Sequence, residues 1–367
     1  MKIIHLTVVR DLPNGIKKQL RCEWESACEI EDFEWETVAW HDAPSDQPFL
    51  RQVPRCFRFI FLRHFFAWLV ILRLSRRCDY LLVRHMPFDP FSFIFSPFVK
   101  NRITVHHTKE VEEMVQVRRG WKGKMASRLE SVAGRFSLRR TAAIAGVTQE
   151  IVDYELVRAG TLLPGVVYPN GIDTEAVPLL DDGRSDATFN LVFICSKFSS
   201  WHGLERLFDS VIRFKEPGAS LEIKVHLVGQ LSDEQRKTII ESDILSEVFI
   251  EHGLLEEDKY REVMASCDVG VGSLAMELTG LREASTLKVR EMLAMGLPVV
   301  SGHVDSSIPS DFPYYQLHES GEVDINKAVL SFGGKKFGRE EVRRSAEPFI
   351  GKQNAMRGVA NFLADGF

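Results

Sequence analysis

The chain reads as a two-domain α/β protein built on parallel sheets, and three observations carry that reading. Its 367 residues exceed one ordinary domain and suit two. Short apolar, β-branched runs alternate with helical stripes, as repeated βαβ units do. The clearest unit, Cys267 to Ser301, runs strand, long loop, helix, glycine turn and strand. Val269, Val271, Leu297, Val299 and Val300 supply its strands, Leu287, Met292, Leu293 and Met295 its helical stripe, and Gly296 with Pro298 ends the helix.

Apolar residues make up 45% and charged residues 26% of the chain, the balance of a soluble globular protein with real cores. Cys22, Cys28, Cys56, Cys78, Cys195 and Cys267 form no CxxC pair, so a reduced cytoplasmic protein with neither zinc nor disulfides is expected. The opening MKIIHLTVV has too short an apolar run for a signal peptide and is read as the first strand. Charge is divided unevenly: to Tyr168 there are 25 Lys and Arg against 19 Asp and Glu, and beyond it 21 against 32. A basic first half thus precedes an acidic second half.

In order, Ile3 to Val9 is a strand, Pro13-Asn14-Gly15 a tight turn, and Ile16, Leu20 and Trp24 mark a helix. Phe33 to Trp40 alternates like a second strand. Leu50 to Cys78 carries seven arginines and no acid, and Phe57, Phe61, Phe65 and Trp68 at helical spacing predict one helix over that stretch. Its longest apolar run, Phe65 to Leu72, falls far short of the roughly 20 residues a membrane span needs. Such a helix either lies on an anionic membrane surface or covers a sheet in the ordinary way. The basic run Arg118 to Arg140, opposed only by Glu130, makes membrane contact an equal reading. Nucleic acid is not expected, since the chain has no recognisable nucleic-acid module and a net charge of −5.

Asp79 to Arg84, Ile103 to Val105 and Ala142 to Thr148 are the next strands, and Gln149 to Ala159 is a helix. Pro169-Asn170-Gly171 is a turn signal where the halves should join. Domain boundaries are therefore expected at 1–168, a linker at 169–188 and a second domain at 189–350, with 351–367 a helix crossing back to the first. In the second domain Asn190 to Cys195 is a buried strand, Ser196 to Gly203 its exit loop and Leu204 to Phe214 a helix. Lys224 to Gly229 and Val248 to His252 follow as strands with Gly229 and Gly253 at their ends.

Glu283 and Glu291 frame the chemistry. Eight residues apart on one helix they would differ by roughly 80° and share no face. Glu283 therefore belongs in the loop and Glu291 just inside the helix, both towards the C-terminal strand ends where open α/β sheets bind ligands. The backbone N–H groups of Thr286, Leu287 and Lys288 at that helix start suit an anion.

The stretch Glu283-Ala-Ser-Thr-Leu-Lys-Val-Arg-Glu291 resembles the Glu-x7-Glu signature of the retaining glycosyltransferases of family 4. Tyr168-Pro-Asn-Gly-Ile-Asp173 resembles that family's interdomain motif, and Ser196 to Leu207 its first C-domain loop and helix. The match is clear in the C-terminal half and loose in the N-terminal half. It implies a GT-B fold, two Rossmann-like domains facing a central cleft, and transfer from a nucleotide diphosphate sugar. By the same resemblance Glu283 takes hydroxyls of the donor sugar and Glu291 those of the ribose. Lys197 and His202 stand five apart where the family places Arg and Lys on the pyrophosphate. Lysine loses the bidentate geometry, and His202 is expected to be protonated beside a diphosphate.

The resemblance further implies that a histidine after the Ile103 strand faces the donor sugar. His106 is the first candidate and His107 the second, with Arg84 and His107 at the acceptor side. Gly15 and Gly229 are candidate donor contacts, although a plain turn glycine is an equal reading of Gly15. The resemblance also implies retention of configuration, by the same-face attack assisted by the leaving phosphate that is usual for the family, and no enzyme nucleophile is evident. No Asp-x-Asp pair follows a strand, so no metal and no cofactor is expected. The basic half suggests a glycan or polyprenyl-linked acceptor at the inner face of the cytoplasmic membrane, as in bacterial surface polysaccharide assembly. A sugar-nucleotide epimerase of the same fold, an inactive transferase and a non-catalytic glycan-binding module are the alternatives.

Overall fold

The computed structural model describes the chain apart from Arg118, Arg119, Asp186, residues 216–220 and 319–322, Gly334, Lys336 and Phe367. Two arginines of the second basic run thus lie outside the described residues. The chain divides into two compact units, Met1–Asp173 with Gly351–Phe367, and Thr174–Ile350.

The first unit is a seven-stranded sheet of β1 (Lys2–Val8), β2 (Glu34–His41), β3 (Leu50–Gln52), β4 (Tyr80–Arg84), β5 (Arg102–His106), β6 (Ala143–Gly146) and β7 (Gly165–Val167), in the order β3-β2-β1-β4-β5-β6-β7. Every pairing is parallel, so each connection must cross over the sheet and both faces are covered. The crossovers are α1 (Asn14–Ala27), α2 (Ile60–Leu74), α3 (Ser92–Phe95), α4 (Glu110–Val117), α5 (Trp121–Leu138) and α6 (Gln149–Ala159). Alternation along β1 sends Ile4, Leu6 and Val8 to one face, against Ala67, Trp68, Ile71 and Leu74 of α2. Thr148 caps α6 by accepting the Ile151 N–H, and Gly160, at φ +62°, closes it.

The helix expected over Leu50 to Cys78 is three elements. Leu50 pairs with Ala39 at the sheet edge, Arg55–Phe57 is a 3₁₀ turn begun at Pro54, and α2 starts only at Ile60. Proline lacks the N–H that a continuous helix requires. The line α2 buries is Ala67, Trp68, Ile71 and Leu74, whereas Phe61 stays half exposed.

The second unit is a six-stranded, all-parallel sheet ordered β10-β9-β8-β11-β12-β13. Its strands are β8 (Thr188–Lys197), β9 (Glu222–Gln230), β10 (Phe249–Gly253), β11 (Val269–Val271), β12 (Val299–Ser301) and β13 (Tyr315–Leu317). Its helices are α7 (Leu204–Phe214), α8 (Asp233–Glu241), α9 (Asp243–Val248), α10 (Glu257–Ala265), α11 (Leu287–Ala294), α12 (Ile325–Phe332) and α13 (Arg339–Ile350). Leu204, Leu207, Phe208 and Val211 of α7 bury against Phe189, Leu191 and Phe193 of β8.

The chain then returns to the first unit as α14 (Lys352–Ala364), where Met356, Val359, Ala360 and Leu363 pack on Ile3, Leu82, Ile103 and Ala143. Each large apolar side chain so covered contributes about 1.5–3 kcal/mol. In each sheet the strand order reverses once, between β1 and β4 and between β8 and β11. At such a point neighbouring loops leave in opposite directions and open a crevice at the C-terminal strand ends.

Candidate active site

At the β8/β11 reversal of the second unit, Lys197 ends β8 exposed, after a slip in the register with β9. His202 closes the following loop. Its Nδ1 accepts the Ser199 N–H at 2.9 Å, which leaves Nε2 carrying the proton. Backbone bonds from Leu274 N to His202 O and from Ala275 N to Trp201 O tie this loop to the exit of β11. Opposite stands the start of α11, with Thr286 as its cap residue and Leu287 its first turn. The Thr286 side chain caps nothing, and its buried Oγ1 has no partner. Lys288 Nζ donates to Ile194 O at 2.7 Å, which brings a cation to the C-terminal end of β8.

Lys288 changes the reading of His202. Burial, reinforced by the Lys288 charge, pulls the imidazole down to about 4, so without a diphosphate beside it His202 is a neutral Nε2–H donor. The positive charges at this end of β8 are Lys197 and Lys288. Glu283 sits in the loop before α11, bridged to Val304, and Glu291 is the fifth residue of the helix. Burial and the Glu291 charge together raise the Tyr260 hydroxyl, which puts that carboxylate beside α10. Gly229 has a structural reason to be glycine. At φ +138°, a Cβ there would collide with the Cys195 carbonyl oxygen.

Arg290 lies between the two glutamates and is fully buried. Its guanidinium donates to Ser285 Oγ (3.1 and 2.8 Å), Asp305 Oδ2 (2.7 Å), Ser307 Oγ (2.7 Å) and the Phe349 carbonyl (2.8 Å).

In the first unit Arg84 ends β4, and His107 follows β5. Both line a recess of about 20 Å3 with His5, Gln19, Glu23 and Tyr168. Such a volume admits about one water-sized group. Glu23, buried on α1, is its anchor. It accepts from His5 Nδ1 (2.7 Å), Trp35 Nε1 (3.1 Å), Thr37 Oγ1 (2.9 Å) and the Tyr168 hydroxyl (2.5 Å), and pairs with Lys352 at 3.1 Å. Burial opposes its charge, but His5 and Lys352 overcome it and hold the carboxyl well below its usual range. Of the residues lining the recess, His5, Gln19 and His107 each leave their Nε2 without a partner. Burial and the Arg84 charge keep His107 neutral.

His106 is not the ligand-facing histidine. As the last residue of β5 it points to the face opposite His107, and it is completely buried. It stacks on His85 with ring centroids 4.6 Å apart and lies 3.0 Å from Glu110. Gly15 is the second residue of α1 and not a turn residue. Its φ is not positive, and a Cβ there would meet nothing within 4 Å.

Around His106 the charges interlock. His85 meets Glu130 at 2.8 Å, and Arg158 meets Glu130 at 2.7 Å and Glu155 at 2.6 Å. Among the described residues His106, Glu110 and Glu155 alone have metal-ligand spacing, their donor atoms lying within 4.8 Å. The Arg158 guanidinium already sits on the Glu155 oxygen nearest His106, so the protein supplies the cation there. Burial drives Glu155 up to about 7 and His106 down to about 3, whereas His85 and Arg158 outweigh burial and hold Glu130 at about 2.

Sequence reasoning missed the Lys288 side chain, His5, Gln19 and Glu23. Lys288 had a signal, since it stands second in the helix that follows Glu283. Glu23 is marked by contacts 12 to 145 residues apart in sequence, which leave no local pattern, and Gln19 stands one turn before it on α1.

No protein-family model and no curated protein matches the sequence. Solved structures match along the whole chain. The lipopolysaccharide outer core galactosyltransferase WaaB superposes with a TM-score of 0.65 at 12% identity, covering 100% of both chains. Anabaena Alr3699/HepE in complex with UDP and glucose gives 0.60 at 14%, covering 99% of each. AviGT4, a glycosyltransferase of avilamycin A biosynthesis, gives 0.58 at 16%, covering 99% of this chain and 98% of its own. The fold is GT-B. Each unit of this GT-B chain is a Rossmann-like domain, and each has its crevice where its strand order reverses.

The folded domain holds a proton on Glu155 that the unfolded chain releases above about 4.5, so this group's contribution to stability falls as pH rises from about 4.5 to about 7. Glu155→Gln mimics the protonated form. Thermal melts between about pH 5 and about pH 8 should show wild type losing stability relative to the variant as pH rises.

Proposed function

We propose that this chain is a retaining glycosyltransferase that moves a sugar from a UDP-sugar to a hydroxyl of a glycan or polyprenyl-linked acceptor in surface polysaccharide assembly. The observation that supports it most is the gathering of Lys197, Lys288, the His202 Nε2–H and the α11 N-terminus at one end of β8. A departing nucleoside diphosphate needs that combination: two cations, a neutral donor and backbone N–H groups in a fixed array. UDP is the nucleotide of this reading because Alr3699/HepE, of the same fold, was solved with it.

In this reading Glu291 accepts ribose hydroxyls and Glu283 hydroxyls of the transferred sugar, since ionised carboxylates only accept. The first-unit recess seats a hydroxyl of the acceptor. Arg84 and the Gln19 amide can donate to its oxygen. Glu23 already matches Lys352 there. No nucleophile is assigned. The acceptor oxygen attacks C1 on the face the diphosphate leaves, and a leaving phosphate oxygen takes its proton.

The acceptor reading extends to the surface. Along α5, Trp121, Met125, Leu129 and Val132 stand exposed at helical spacing, with Lys124, Arg128, Arg135 and Arg139 exposed beside them. Phe93 and Ile94 of α3 are exposed as well, and Phe93 packs on Phe136 of α5. An apolar stripe edged by cations suits anionic headgroups. Among the described residues no helix is long and apolar enough to cross a membrane.

Titration calorimetry with UDP and UDP-glucose in a chelator tests the donor site. Lys288→Met should weaken UDP by about tenfold or more, the loss of one hydrogen bond to a charged group. UDP-glucose, whose diphosphate does not titrate near neutrality, should bind equally at about pH 6 and about pH 8, because His202 carries no charge to lose there. Failure to bind either nucleotide would sink the proposal.

A further inference from the structure

The residue between the two glutamates that the donor reading leaves unused is Arg290. Glu283 occupies a short parallel bridge in which Ala284 N donates to Val304 O (2.9 Å) and Val304 N to Arg282 O (3.1 Å). Both sides of that bridge run on to the same guanidinium. Ser285, two residues past Glu283, accepts from it through Oγ. Asp305, the residue after Val304, pairs with it and accepts the Ser307 N–H (3.1 Å) and Oγ–H (2.6 Å) on its other oxygen. The fifth N–H contact reaches the Phe349 carbonyl, the residue before the last of the unit.

Stability does not explain this arrangement. A buried ion pair is often no better than apolar residues of the same volume, and its best-attested use is to fix register. Here the register is that of the Glu283 loop against the start of α11. Glu283 has no helix beneath it, and the bridge and the clamp hold the loop that carries its carboxylate.

We propose that Arg290 is the positioning residue for Glu283, holding its loop so that the carboxylate meets the sugar of the donor and not the nucleotide. The inference rests on the reading of Glu283 as the sugar contact. Its consequence is a split. UDP, held by Lys197, Lys288 and the α11 N-terminus, should bind without regard to the clamp, whereas the sugar moiety should depend on it.

The test uses the full chain. Arg290→Met with Asp305→Leu removes both charges for apolar residues of similar volume, and Arg290→Lys keeps the charge but loses the planar fork. UDP and UDP-glucose affinities are measured for each, with kcat and KM for release of UDP from UDP-glucose. The double variant should keep its UDP affinity within about threefold yet lose about tenfold or more in kcat, as a misplaced contact does. Arg290→Lys should fall between. Unchanged kcat in the folded double variant, or equal losses for UDP and UDP-glucose in either variant, would reduce Arg290 to a structural residue. A wild-type chain that binds no nucleotide would instead overturn the donor reading, and the inference with it.

Discussion

Parallel pairing is the constraint on which this molecule depends. Because strands of both sheets run in one direction within each sheet, no two neighbours can be joined by a tight turn, and each link is a crossover. Helix N-termini and strand C-termini then gather along one edge of each sheet. Strand order reverses once per sheet, at β1/β4 and β8/β11, so each unit has one place where loops part. The catalytic reading requires little more than polar side chains at those two edges.

The two edges are equipped differently, and the difference is electrostatic. At β8/β11 the cations outnumber nearby partners: Lys197 is exposed, Lys288 rests on a backbone carbonyl, and a neutral His202 contributes a donor without a charge. That edge suits an anion. At β1/β4 Glu23 receives five donors, and a set of ring and amide nitrogens remains unmatched. This edge suits a hydroxyl. A diphosphate leaving group and a hydroxyl acceptor are the two things a sugar transfer must hold.

Most of the fold was legible because it is written in local periods. The Gln149–Ala159 and Leu204–Phe214 helices begin and end where the stripe and the caps place them. The exceptions have physical causes. Pro54 broke the long helix expected after Leu50, and β3 and β13 are three-residue strands too short to show a period. In the site, motif residues that stand on one loop or one helix, such as Glu283, Thr286, Leu287 and Glu291, could be located from spacing. His106 and His107 could not be ranked from spacing, because only the facing of β5 decides which of two adjacent side chains is buried. The charge of His202 was likewise illegible, since it depends on Ser199 and on Lys288, 86 positions further along the chain. The need for glycine at 229 was equally illegible, since it comes from the Cys195 carbonyl of the neighbouring strand.

The central claim is that a nucleoside diphosphate binds at the β8/β11 edge. Hydrogen–deuterium exchange of the full chain with and without saturating UDP addresses it directly. The account predicts slowed exchange in residues 196–203 and 284–290, with β10 and α8 unchanged. Slowed exchange absent from both segments, or confined to the first unit, would contradict it.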